Sequence, residues 1–164
     1  MRLLNTRSDY GLVSLALHWI IVFGIIGEWA LAEADILPLR QSIGITLFAL
    51  AAIRMAWRTA NPVPAWPEDM KNHEKALART VHFAFYGLLF AIPLSGWALG
   101  SAKDEPLRFF GLDLPRIVLG SEDTLEDIHE TLFNILVGLA VLHVAGAGKH
   151  WLAARARERA RATR

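Results

Sequence analysis

The stretch HETLFNILVGLAVLH, residues 129–143, places a histidine at each end of an apolar run. Read as an α-helix rising about 1.5 Å per residue, it sets His129 and His143 about 21 Å apart along the axis. Their spacing of fourteen residues, at about 100° per step, closes nearly four whole turns, so both imidazoles leave the same face. Histidine inside an apolar span is costly unless it has a partner. Two imidazoles on one face, one near each membrane surface, are what two haems stacked in a membrane bundle require. A third histidine, His18, sits within a different apolar run.

The rest of the chain agrees with a membrane setting. Of its 164 residues, 54% are hydrophobic, and these are gathered into long runs rather than dispersed. The length suits a single domain. A formal net charge of +1 gives no global basic field for nucleic acid, and none is expected as a partner. With no cysteine, the chain forms no disulfide, iron–sulfur cluster, covalent c-type haem link or thiolate zinc site, which leaves histidine as the main candidate metal ligand. The opening MRLLNTRSDYG lacks the layout of a cleavable signal, so the first apolar run is expected to stay in the membrane.

Four transmembrane helices are expected, at about 10–32, 41–57, 76–99 and 125–151, forming one all-α, four-helix membrane domain over residues 1–164. Asp9 or Ser8 is the expected cap of the first helix and Thr124 centres that of the fourth; Pro93 is an expected kink in the third. Basic residues concentrate at the N-terminus (Arg2, Arg7), around the second connection (Arg54, Arg58, Lys71, Lys75, Arg79) and in the tail from Lys149 to Arg164. The third connection carries eight acids between Asp104 and Glu130. The positive-inside rule therefore predicts both termini in the cytoplasm of a bacterium, with the chain multi-pass in the inner membrane among its lipids. The third connection, with LRFFGLDLP at 107–115, is long enough to fold over the outer mouth.

Each polar residue in the spans has two readings. His18 and His143 lie at a similar depth from the cytoplasmic ends of the first and fourth helices, so two facing helices could hold one haem iron between them. The plain alternative is an interhelical hydrogen bond to a serine or a carbonyl. His129 lies near the outer end, where Arg40 and Gln41 begin the second helix. Arginine stays protonated and offers iron no lone pair. The outer site is then empty, five-coordinate or ligated by another residue, or else Glu130 or a carbonyl satisfies His129. His82, near the cytoplasmic start of the third helix and shallower than His18, reads as an alternative ligand, a quinone hydrogen-bond donor or an interfacial residue. Arg54 either snorkels or pairs with a haem propionate through its guanidinium fork. Arg40 could turn to a propionate, to Glu33 or to Asp35. His73 and His150 read as solvated and interfacial.

These residues resemble the prokaryotic cytochrome b561 family, and more distantly the cytochrome b subunits of hydrogenase and formate dehydrogenase. The resemblance rests on LALHW (15–19), SIGITLFALAAIRMAWR (42–58), VHFAFYGLLFAIPLSGW (81–97) and HETLFNILVGLAVLH (129–143), covering nearly the whole chain. It implies a four-helix electron carrier with haem b that exchanges electrons with quinone; one member type oxidises superoxide and reduces ubiquinone. It also implies that His18 and His143 hold the inner haem, that His129 holds one side of an outer haem, and that His82 lies in the quinone-facing region. The family's second outer histidine precedes S-x-G, a place taken here by Arg40 in RQSIG (40–44). One haem b is therefore expected, with a second possible, and ubiquinone as substrate.

Three functions follow as expectations. The first is a membrane b-type cytochrome passing electrons between an outer, periplasmic donor such as superoxide and quinone. The second is a membrane-anchor cytochrome b subunit wiring a partner redox enzyme. The third is a haem-free membrane protein whose histidines bind metal or quinone. An outer loop bearing Lys103, Arg108 and Arg116 could draw a small anion, against the field of its acids.

Overall fold

The protein is seen in a computed structural model that describes residues 2–34, 36–67, 70–105, 107–117 and 119–162. Four helices dominate: α1 (Leu12–Glu33), α2 (Leu37–Ala60), α3 (Asn72–Ala102) and α4 (Glu122–Ala162). Each is long and apolar enough to cross a membrane. The chain is an all-α bundle of four membrane-spanning helices, with one minor addition. Two-residue strands β1 (Arg108–Phe109) and β2 (Leu112–Asp113) form a hairpin in the third connection, pairing Arg108 with Asp113 and Phe109 with Leu112.

Except at the start of α1, which begins at Leu12 rather than about 10, the helices run past the limits expected from hydropathy. Pro38 sits in the first turn of α2, where a proline's missing N–H is not needed, and the helix begins at Leu37, ahead of the start expected at about 41. At 41 residues, α4 is about 60 Å long, roughly twice the apolar thickness of a bilayer. Its last turns, from Trp151 to Ala160, are exposed throughout.

Both expected caps are corrected. Neither Asp9 nor Ser8 caps α1; Gly11 holds that position, and its N–H donates to Asn5 Oδ1 at 2.9 Å. A Cβ on Gly11 would lie 2.4 Å from the Leu3 carbonyl oxygen, so only glycine fits where the N-terminal segment crosses the helix start. For α4, Ser121 precedes the first turn: its carbonyl accepts from the Leu125 N–H, and its hydroxyl donates to Thr124 Oγ1 at 2.9 Å.

Packing follows chain order. α1 lies on α2, α2 on α3 and α3 on α4, while the backbones of α1 and α4 do not meet among the described residues. The bundle is thus open along one seam. Side chains match that openness. No large side chain is fully buried among the described residues, and Phe83 (81% exposed), Val144 and Leu142 turn outward. An exterior of this kind suits lipid, where apolar exposure costs nothing. Small residues line the closest contacts, with Ala51 and Ala98 completely enclosed.

The ends are tied by polar contacts. At the basic end, Asn5 also accepts from Ser14 Oγ (2.7 Å) and donates to the Pro62 carbonyl (3.0 Å). Trp57 Nε1 donates to Ser14 Oγ at 3.1 Å, and Lys149 pairs with Glu74 at 2.9 Å between α4 and α3. At the opposite end the hairpin docks on α2. The Arg108 N–H donates to Gln41 Oε1 (3.1 Å), the Phe110 N–H donates to Ser42 Oγ (3.0 Å), and Trp97 Nε1 donates to the Pro115 carbonyl (2.9 Å). The third connection therefore lies against the ends of α2 and α3. Lys103 bridges to Glu126 and Glu122 on α4, which raises its pKa above the ordinary lysine value.

Candidate functional site

Helical periodicity points His143 of α4 and His18 of α1 into the open seam. Their ring centroids are 6.4 Å apart, at an interplanar angle of 71°. An imidazole nitrogen ligates a first-row metal at about 2 Å, so two rings in line across one metal have centres about 6 Å apart. The spacing therefore accommodates one metal between α1 and α4. His82 of α3 lies nearer to His143 than His18 does, with centroids 5.2 Å apart; Phe85 meets the same ring at 5.5 Å. The three rings still do not make a tris-imidazole site: among the described residues, no group of three or more His, Cys, Asp or Glu side chains is arranged to hold a bare metal ion.

Hydrogen bonding separates the roles of these rings. His82 Nδ1 lies 2.6 Å from the Ala78 carbonyl, which can only accept, so Nδ1 carries the proton and Nε2 keeps its lone pair. A cavity of about 160 Å³ opens beside the rings towards the basic end and is lined by Ser14, Arg54, Arg58, His82 and Tyr86. Arg54 donates through Nη1 to the Ser14 carbonyl at 3.0 Å, which turns the guanidinium along α1 and leaves its remaining donors near the cavity. Tyr86 and Asn5 were passed over in the sequence; a tyrosine one turn after His82 on the same face was the available signal.

At the opposite end a second cavity, of about 650 Å³, separates the α1–α2 pair from the α3–α4 pair. This is within the range of cofactor pockets, roughly 300–1,000 Å³. His129 enters it from α4. Its Nδ1 lies 2.9 Å from Ser95 Oγ, whose single proton goes to the Ile92 carbonyl at 2.9 Å. A serine donating to that carbonyl accepts from His129, whose ring also bonds the Ile92 carbonyl; both contacts put the proton on Nδ1 and leave the lone pair on Nε2. The partners of His129 are thus Ser95 and, as the carbonyl alternative expected, the Ile92 carbonyl, not Glu130. Gly96 makes room for the ring, since a Cβ there would stand 3.0 Å from His129 Cε1.

Arg40 lines the same cavity from α2, and its partner is Glu28 of α1, at 3.7 Å from Nε to Oε2. Of the two carboxylate side chains expected as partners of Arg40, Asp35 lies outside the described residues, as does the side chain of Glu33. Glu28 Oε1 is buried with no hydrogen-bond partner among the described residues, and it lies 3.9 Å from where a Cβ on Gly44 would be. A lone carboxylate inside the apolar run of α1 was the sequence signal for this site. His73 is exposed in the first turn of α3, and His150 lies in α4 next to Lys149.

A family model described as prokaryotic cytochrome b561 matches residues 9–160. Among curated proteins, the chain is 33% identical over 166 residues to "Cytochrome b561 homolog 2" of Escherichia coli (strain K12), covering 92% of this chain and 88% of that protein. It is 24% identical over 157 residues to "Probable superoxide oxidase CybB" of Yersinia pestis, covering 88% of this chain and 89% of the relative.

Proposed function

Because the chain belongs to the prokaryotic cytochrome b561 family, we propose that it relays electrons from a small donor at the outer membrane face to a quinone at the inner face, with His18 and His143 as the axial pair of an inner haem b. Family membership makes it a multi-pass membrane cytochrome of b type with an electron-transfer role. The observation that carries the ligand assignment is the 6.4 Å separation of the two rings across a seam where the α1 and α4 backbones do not meet.

Bound haem supplies the one-electron chemistry, and the protein sets its position and surroundings. His18 and His143 would hold the group through their ring nitrogens. Arg54 and Arg58, at the mouth of the smaller cavity, offer a guanidinium fork to a propionate. His82 and Tyr86 line that cavity too; with its proton on Nδ1 and bound to the Ala78 carbonyl, His82 is an acceptor at Nε2, suited to the hydroxyl of the quinol product rather than to the donation towards quinone expected from sequence. The basic residues of both termini and of the second connection favour this end as the cytoplasmic one, in a bacterial inner membrane.

Superoxide is the proposed donor, supported by the relative named as a probable superoxide oxidase. Lys103, Arg108 and Arg116 at the outer end add nothing to this, since each is paired with an acid (Glu122 and Glu126, Asp113, and Asp104). Two superoxide anions would each lose one electron to give dioxygen. One ubiquinone would take both electrons and two protons to give the quinol.

The test is haem per polypeptide by pyridine haemochrome, with α-band and EPR spectra of the purified protein. His18→Ala and His143→Ala should each abolish the low-spin signal of the inner haem. His82→Ala should keep that signal and slow quinone reduction. An unchanged low-spin spectrum in His143→Ala would overturn the axial assignment.

A further inference from the structure

The outer cavity differs from the inner site in one chemical respect. Among its described lining residues, His129 is the single imidazole; the α1–α2 wall presents a guanidinium and a carboxylate instead. The residues therefore do not fit a haem held by two imidazoles. They do fit a haem held by one. The cavity has the size of a cofactor pocket, the Ser95 contact fixes the tautomer with its lone pair on Nε2, and Gly96 admits the ring. Orientation of a ligating histidine through its other nitrogen is the usual companion of metal binding.

The opposite wall has its own logic. A guanidinium and a carboxylate enter the cavity together, 3.7 Å apart, on helices packed against each other. Glu28 holds Arg40 by one oxygen and leaves the other without a partner. A pair of this kind is neutral overall, and Lys103, Glu105, Glu126 and Glu130 line the same cavity, so what it offers a small anion is the guanidinium's directed hydrogen-bond donors rather than net positive charge, with a proton-accepting oxygen beside them. What a haem binds on its open side is decided by such donors and by access.

We infer that an outer haem in this chain is held by His129 alone, and that Arg40, positioned by Glu28, faces its open side and favours a small anion there. The inference rests on the haem reading above, but its failure is separable from that of the reading. The probes are sodium azide and carbon monoxide, used on the purified, haem-loaded protein. The expected result is two haems per chain: one low-spin, and one high-spin that azide converts to low-spin. His129→Ala should remove the high-spin haem and keep the low-spin one, whose retention also shows that the variant is folded. Arg40→Leu should weaken azide at least tenfold while leaving carbon monoxide affinity within about twofold. Glu28→Gln should weaken azide less than Arg40→Leu does. Arg40→His should turn the high-spin haem low-spin and abolish azide binding.

A single low-spin haem per chain, or two low-spin haems in the unaltered protein, overturns the inference while leaving the inner site intact. Azide affinity unchanged in Arg40→Leu overturns the role of the pair. Absence of any haem overturns the reading on which it rests.

Discussion

Asn5 shows how much one amide can hold. Its oxygen accepts from the Gly11 N–H and from Ser14 Oγ, and its nitrogen donates to the Pro62 carbonyl, so it joins the N-terminal segment, α1 and the second connection. Leaving buried donors unmet costs roughly 1–3 kcal/mol. Asn5→Ala should therefore lower the thermal midpoint of the detergent-solubilised protein by several degrees in circular dichroism. Asn5→Asp keeps the acceptor and should lose less; equal melting of all three proteins would count against the amide's role. Nothing in the sequence singles out this residue. Its partners lie 6, 9 and 57 positions away, contacts that only the fold creates. The histidines were legible for the opposite reason, because the period of a helix is local and places His129 and His143 on one face from spacing alone. Glu28 stood between these cases. As a carboxylate in an apolar run it was visible, but its pairing with Arg40 depends on how α1 packs on α2.

At the scale of elements, hydropathy located all four helices but not their ends. Apolar runs report where lipid contact stops, whereas a helix continues as long as its backbone bonds are made, as α4 does through Arg155, Arg157 and Arg159. The hairpin in the third connection escaped the reading because two-residue strands carry no periodicity. Its turn is made by Phe110 (φ 47°) and Gly111 (φ 90°), and a phenylalanine in that region is an unusual choice. The distribution of basic residues among these elements carries its own test. A reporter fused after α4 should behave as cytoplasmic, and one inserted at Gly111 as periplasmic. The reverse pattern would reject the proposed orientation and exchange the inner and outer sites.

For the whole molecule, the governing feature is the order of contacts: three helix pairs in sequence and an unclosed seam between first and last. Packing among α1–α2, α2–α3 and α3–α4 is short-range in sequence and needs no partner. What spans the seam is imidazole, from His18 on one side and His143 on the other. If the haem reading holds, removing the cofactor should loosen α1 against α4 and spare the other pairs. Limited proteolysis of protein made under haem starvation should then cut near the seam's exposed ends at least several-fold faster than the loaded protein, and added haemin should restore resistance; equal rates would show that the seam is closed without it. With the proposed axial pair, such a chain would carry its own checkpoint. A polypeptide whose last helix had not met its first across a shared iron would stay open to the cell's membrane proteases, so its abundance would follow the supply of porphyrin rather than the rate of its synthesis.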